Sequence, residues 1–353
     1  MRVEQLTFTR FLAAISIVIY HYGKNVYPYN IPWVWQVLGQ ANVGVSYFFI
    51  LSGFVLIIAY QNKNNIGYFK FYKNRFARIF PIFFIGILLL LTYKTIKKHP
   101  IFWDELAYNV LGIQAWIPSK ALCFNSPSWS ITVEILFYFL FPFAFNRFYT
   151  KPKYFHKIAI VAFIFFVVSQ IFFHLYVTST YYKGYPSISH YFGFYWPPFH
   201  LNEFLMGNVA GLYFIKYLHR LPKNGDLKLM LLVLVLVLFL YYNTYFHLHN
   251  GFLTILFVPI IILMANNKGS LTSIFCNKIF IILGEISFSI YILQQPIFKF
   301  CDYYFDMQQI SNTNLRFHLS VLVLILVAFL SYYGIEKPLK TKISNIKIKK
   351  LKK

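Results

Sequence analysis

The chain has 353 residues, of which 58% are hydrophobic, 22% aromatic and only 12% charged, and its mean hydropathy is +0.56. A soluble fold keeps charged residues near a quarter of its composition because most of its helices present a solvated face, so this chain is no soluble domain and the bilayer is its solvent. The net charge of +23 does not point to nucleic acid, because lysine and arginine sit in short clusters beside long apolar runs, where they orient helices and meet anionic membrane lipids.

Runs long enough to cross about 30 Å of hydrocarbon occupy residues 6–23, 42–60, 77–96, 129–147, 157–176, 199–217, 227–243, 251–267, 279–300 and 316–335. The expectation is an all-α integral membrane protein, a bundle of about ten transmembrane helices over residues 1–340, with a basic tail at 341–353. The first run is not a cleavable signal peptide: Arg10 and His21 interrupt it and no small-residue cleavage site follows. Lysine and arginine collect before the third, fifth, seventh and ninth runs and after the tenth, 24 on one side against eight on the other. The positive-inside rule then places both termini in the cytoplasm.

Within the first run, "LTFTRFLAAISIVIYHY" (6–22), Arg10 and His21 are eleven residues apart. At 100° per residue this is three turns plus about 20°, so both fall on one helix face, roughly 16 Å apart along the axis. An imidazole can take a proton from an alcohol near neutral pH. In the second run Gly53 permits close helix approach, and its neighbour Ser52 is a hydrogen-bonding group for backbone or ligand. At the edge preceding the third run, "FYKNRFARIFP" sets Arg75 and Arg78 at i and i+3, pointing the same way and suited to phosphate.

Glu134, Glu203 and Glu285 are carboxylates inside apolar runs, where a mid-membrane charge costs about 2.5 to 3.5 kcal/mol on the insertion scale. Glu134 is the one most suited to serve a site, whereas Ser52 and Glu203 read as substrate-contacting or structural polar groups and Glu285 as a packed, hydrogen-bonded carboxylate joining helices. Cys123, Cys276 and Cys301 show neither metal spacing nor a disulfide framework. His247 and His249 are two apart and do not converge on a helix face, so no metal is expected. The segments 97–128 and 177–198, rich in Trp, Tyr and Pro, anchor to headgroups or stack on sugar rings.

Seven stretches, in order, resemble those of the membrane acyltransferase 3 family: "RFLAAISIVIYHY" with its arginine, ten residues and histidine; "VGVSYFFILSGFVL" ending in Ser-Gly-Phe; "RFARIFP" with two arginines; "SWSITVEILFYFLFP"; "NEFLMGNVAG"; "LGEISFSIYILQQP"; and "YYGIEKPLK". The resemblance implies transfer of an acyl group, usually acetyl from acetyl-CoA, to a hydroxyl of a carbohydrate or glycolipid, by an enzyme of a bacterial-type inner membrane. It makes His21 the catalytic residue and Arg10, Arg75 and Arg78 the holders of the CoA phosphates, with Glu134 as a second catalytic residue that orients or tunes the imidazole. Gln294 and His200 depart from the family pattern, which bears on acceptor contacts rather than on the core reaction.

Taken together, the phosphates of CoA would sit at the three arginines near the cytoplasm while the pantetheine arm reaches His21. His21 then removes the acceptor proton or itself takes the acetyl group before passing it on. The alternative class is a transporter or flippase for a lipid-linked sugar, which predicts repeat symmetry between halves. No such halves are visible in the sequence.

Overall fold

The structure, a computed structural model, describes residues 3–221, 223–243 and 245–345. Arg2 and five lysines of the expected tail, from Lys347 to Lys353, lie outside the described residues. Among the described residues there is no strand. The main helices are α1 (Gln5–Tyr22), α2 (Gly44–Tyr60), α3 (Tyr68–Ile96), α4 (Trp129–Ala144), α5 (Phe155–Thr178), α6 (Leu201–Tyr217), α7 (Asp226–Tyr242), α8 (Thr254–Asn266), α9 (Lys278–Glu285), α10 (Ser287–Met307), α11 (Thr313–Ser331) and α12 (Lys337–Asn345).

Among the described residues, five helical stretches are long and apolar enough to cross a membrane: Pro32–Tyr60, Tyr68–Ile96, Ser126–Tyr149, Pro152–Thr178 and Thr313–Asn345. A sixth is added if α9 and α10, bent by 54° at their junction, count as one span. The other apolar runs form shorter helices, from 18 residues in α1 to 13 in α8. Length and composition therefore support five or six spans, and the count of ten rests on the hydropathy of the runs.

Two boundaries differ from the sequence expectation in ways that matter. α3 begins at Tyr68, well before the expected residue 77, because the stretch "YFKFYKNRF" continues the helical backbone without a break. Arg75 and Arg78 therefore stand on α3 itself rather than on a loop edge. At the far end of the chain, α11 passes through a π-helical turn (Tyr332–Glu336) directly into α12, which carries the Glu-Lys-Pro segment back against α3.

Helix contacts are closest where glycine removes a side chain. A Cβ on Gly53 of α2 would lie 2.3 Å from the Phe204 carbonyl oxygen, one on Gly207 of α6 would lie 2.0 Å from the Ile50 carbonyl oxygen, and one on Gly211 would lie 2.7 Å from Ile57 Cβ. Gly207 and Gly211 are four apart on one face, so α2 and α6 meet backbone to backbone along a small-residue seam. Gly284 does the same for α9, where an added Cβ would stand 2.0 Å from the Thr7 carbonyl oxygen of α1. This contact and the bend after Glu285 bring Phe288 to the cavity walls that Arg10 of α1 lines.

The segment 97–128 is more than a surface anchor. Gln114 Nε2 donates to the Ser128 carbonyl (2.8 Å), Asn109 Nδ2 donates to the Cys123 carbonyl (2.9 Å), and the Ser126 amide donates to Gln295 Oε1 (2.6 Å). Tyr291 on α10 donates to the Pro127 carbonyl (3.1 Å). Buried side-chain amides of this loop thus donate to its backbone carbonyls, and the loop packs against the start of α4. Trp103, Tyr181 and Tyr185 remain strongly exposed. All three cysteines are free thiols.

Candidate active site

Arg10 on α1, Arg75 and Arg78 on α3, Glu134 on α4 and Ser52 on α2 converge. All five line one cleft of about 80 Å³ together with Tyr138 and Phe288. On one side it adjoins a larger cavity of about 760 Å³, whose walls include Thr7, Arg10, Arg78, Glu285, Glu336, Lys337 and Lys340. On the other side a slot of about 40 Å³ is lined by Arg10, Val45, Phe49, Ser130, Glu134 and Tyr291. Arg10 and Phe288 border all three. The cavities thus form a tapering series that leads from the basic end of the bundle along α1.

Among the described residues, none of the three guanidinium groups forms an ion pair with a carboxylate. Arg75 Nε is buried with no hydrogen-bond partner, and its guanidinium lies 5.7 Å from the ring centres of both Phe71 and Tyr138. Clustered, partly desolvated cations without direct counter-ions are costly unless something anionic completes them. The residues present fit a polyanionic ligand.

Glu134 does not reach His21. Its Oε2 accepts a hydrogen bond from Tyr138 (3.1 Å), and Ser52 Oγ lies 3.4 Å from the same phenol oxygen. Since Tyr138 gives its proton to the carboxylate, Ser52 donates to Tyr138. Glu134 also stands within electrostatic reach of Arg78, Arg10 and Arg75. The expected role as orienter of the imidazole is therefore corrected: Glu134 belongs to the arginine cluster, because four residues of helix carry Tyr138 back onto its face and pair the two. Tyr138 was not anticipated, although its i+4 spacing from Glu134 was the available signal. Glu336, bonded by the Ser289 hydroxyl and close to Arg78 and Arg10, was likewise unassigned.

His21 lies at the opposite end of α1, exposed, with ring contacts to Tyr20 (5.1 Å) and Tyr22 (6.1 Å). It borders none of the three cavities. Val45 lines the 40 Å³ slot, and its neighbour Gly44 packs against Ile17. Ile17 is four residues below His21, about 6 Å along the axis. Tyr20 lies in electrostatic reach of Tyr195, with Tyr185 close to both, so the aromatic segment 177–198 folds over the His21 end. In that region burial pushes the imidazoles of His190 and His249 down, to about 4 and about 3, and both are neutral at neutral pH.

Glu203 is not in this site. It is fully buried (0% exposed) with its Oε2 2.8 Å from Nδ1 of His200, itself 1% exposed. Nε2 of His200 lies 3.1 Å from the Phe194 carbonyl and must donate to it. Glu203→Ala is expected to cost about 3 to 5 kcal/mol, the usual penalty for removing one partner of a buried pair. Glu203→Gln should cost less; thermal unfolding of the detergent-purified variants checks the order.

A family model described as an acyltransferase domain matches residues 3–333. An O-acetyltransferase, OatA, from Staphylococcus aureus (strain NCTC 8325 / PS 47) is 28% identical over 94% of this chain and 56% of its own length. The acyltransferase MdmB of Streptomyces mycarofaciens is 29% identical over 40% of this chain and 39% of its own length. The chain spans little more than half the length of OatA, and no solved structure matches it. With the arginine-lined cavity, the distal histidine and the match over nearly all of its length, the chain belongs to the acyltransferase 3 family.

Proposed function

We propose that the protein is a membrane O-acetyltransferase that takes acetyl from acetyl-CoA on the cytoplasmic side and passes it to a hydroxyl of a cell-surface carbohydrate or its lipid-linked precursor. The observation that carries this reading is the convergence of Arg10, Arg75 and Arg78, with no carboxylate ion pair among the described residues, on one cavity system. CoA is a polyanion, and guanidinium groups meet phosphate with paired, charge-assisted hydrogen bonds. The tapering suits the molecule's shape: a volume of about 760 Å³ for the nucleotide end, within the roughly 300 to 1,000 Å³ usual for ligand sites, then clefts of about 80 and 40 Å³ that admit only a thin arm. The homologue named O-acetyltransferase supports acetyl as the group and oxygen as the acceptor atom.

In this reading all ten apolar runs lie in the membrane, and both termini face the cytoplasm of a bacterial-type inner membrane. The thioester arrives from below His21 and the hydroxyl from its exposed side. His21 takes the hydroxyl proton as the oxygen attacks the thioester carbonyl; the C–S bond then breaks, and the departing thiolate recovers the proton from the imidazolium. Because donor and acceptor approach from different ends, both can be present together.

The test is binding and turnover of labelled acetyl-CoA in proteoliposomes with a cell-envelope glycan as acceptor. Arg78→Ala should weaken acetyl-CoA binding about ten- to a hundred-fold, the effect of losing hydrogen bonds from a charged group. Wild-type protein that neither binds acetyl-CoA nor releases CoA would remove the reading, and net movement of a lipid-linked sugar under those conditions would put a flippase in its place.

A further inference from the structure

The large cavity has a second cationic wall that the arginine motif does not account for. Lys337 and Lys340 of α12 line it opposite α1, with Thr341, Ser344 and Asn345 beside them. Three residues apart, the two lysines share one helix face. α12 is held in place from two sides: Lys73 of α3 donates to the Ser344 carbonyl (2.9 Å), and the Ser289 hydroxyl of α10 binds Glu336 just before the helix. The two carboxylates in the lining do not cancel this charge. Glu336 is engaged by Ser289 and lies in reach of Arg10 and Arg78, so four cations, Arg10, Arg78, Lys337 and Lys340, face Glu285 and Glu336.

We propose that α12 completes the donor seat, with Lys337 and Lys340 holding a phosphate monoester at the nucleotide end of the donor while the arginines hold its pyrophosphate. The inference rests on the acetyl-CoA reading above and deepens it. CoA carries phosphate in two places, a pyrophosphate leading to the pantetheine arm and a 3′-monoester on the ribose. Pantetheine has to enter the narrow clefts beyond Arg10, so the pyrophosphate lies at the inner, arginine-lined part of the large cavity and the ribose faces its mouth. A monoester there is a compact charge of about −1.5 to −2. The lysine ammonium, a compact point charge on a flexible stem, matches it without the fixed fork that guanidinium brings to bidentate sites.

The experiment compares acetyl-CoA with acetyl-dephospho-CoA, which lacks only the 3′-phosphate, in equilibrium binding to the purified full-length protein. Wild type should prefer acetyl-CoA about ten- to a hundred-fold. The double variant Lys337→Gln, Lys340→Gln should lose that preference by binding acetyl-CoA more weakly, with its affinity for acetyl-dephospho-CoA unchanged. Lys342→Gln, on the same helix but outside the cavity lining, should behave as wild type. Equal affinity of wild type for the two donors overturns the inference alone, as does a double variant that weakens both equally. Failure of wild type to bind either donor overturns the acetyl-CoA reading and the inference with it.

Discussion

Replacing His21 with alanine is expected to lower acetyl transfer by about 10²- to 10⁴-fold, the range for loss of a positioned general base, while leaving acetyl-CoA binding close to wild type. The separation of effects follows from the geometry. His21 borders none of the cavities that Arg10 lines, so its removal leaves the clustered arginine side chains untouched. Arg78→Ala predicts the reverse pattern, weakened binding with chemistry spared, and the two variants form a pair that separates holding the donor from activating the acceptor. Single-turnover measurements with labelled acetyl-CoA, scoring CoA release and protein-bound label separately, check this. Label stable on wild-type protein and absent from His21→Ala would replace direct transfer by an acetyl-histidine relay. A His21→Ala variant as active as wild type would remove the histidine from the reaction altogether.

The second large effect is structural. Gly207→Ala should destabilise the bundle by about 1 to 3 kcal/mol, the range for overpacking a close-packed contact, and Gly207→Leu should prevent its assembly. The added methyl of alanine would stand 2.0 Å from the Ile50 carbonyl oxygen, a backbone atom that cannot swing aside, so α2 and α6 must separate along the whole seam. Ser52 and Leu51 on α2 line the arginine cleft, so the displacement reaches the site and activity should fall with stability. Gly334→Ala is the matched control: no atom lies within 4 Å of its added Cβ, and it should leave the melting temperature unchanged. Thermal unfolding of both variants in detergent decides the matter; equal melting temperatures would show that α2 and α6 are not tightly apposed.

The arginines that line the cleft were legible from the chain because their signals are local. The spacing of Arg10 and His21 fixes their shared face for any straight helix, and the i,i+3 pair Arg75 and Arg78 carries its own geometry. Glu134 lines the arginine cleft, with Tyr138 rather than His21 as its neighbour. Nothing near residue 134 says which helix its carboxylate will face, whereas Tyr138 one turn later was a local partner whose claim is stronger than that of a histidine more than a hundred residues away. Glu203 took its partner, His200, from three residues upstream, again a local pairing.

Composition and hydropathy, summed over consecutive residues, determined by themselves that the chain is helical and built of long apolar runs, and where its charges cluster. The tertiary structure alone decided that Arg75 and Arg78 ride on an extended α3 into the bundle, that the Gly53–Gly207–Gly211 seam locks α2 to α6, and that α12 returns to face α1 across the large cavity. The difference has one physical cause. A helix is specified by bonds between residues four apart, but a site is specified by which helices touch, and in a membrane that choice depends on close packing of small residues and on polar pairs between segments far apart in the chain.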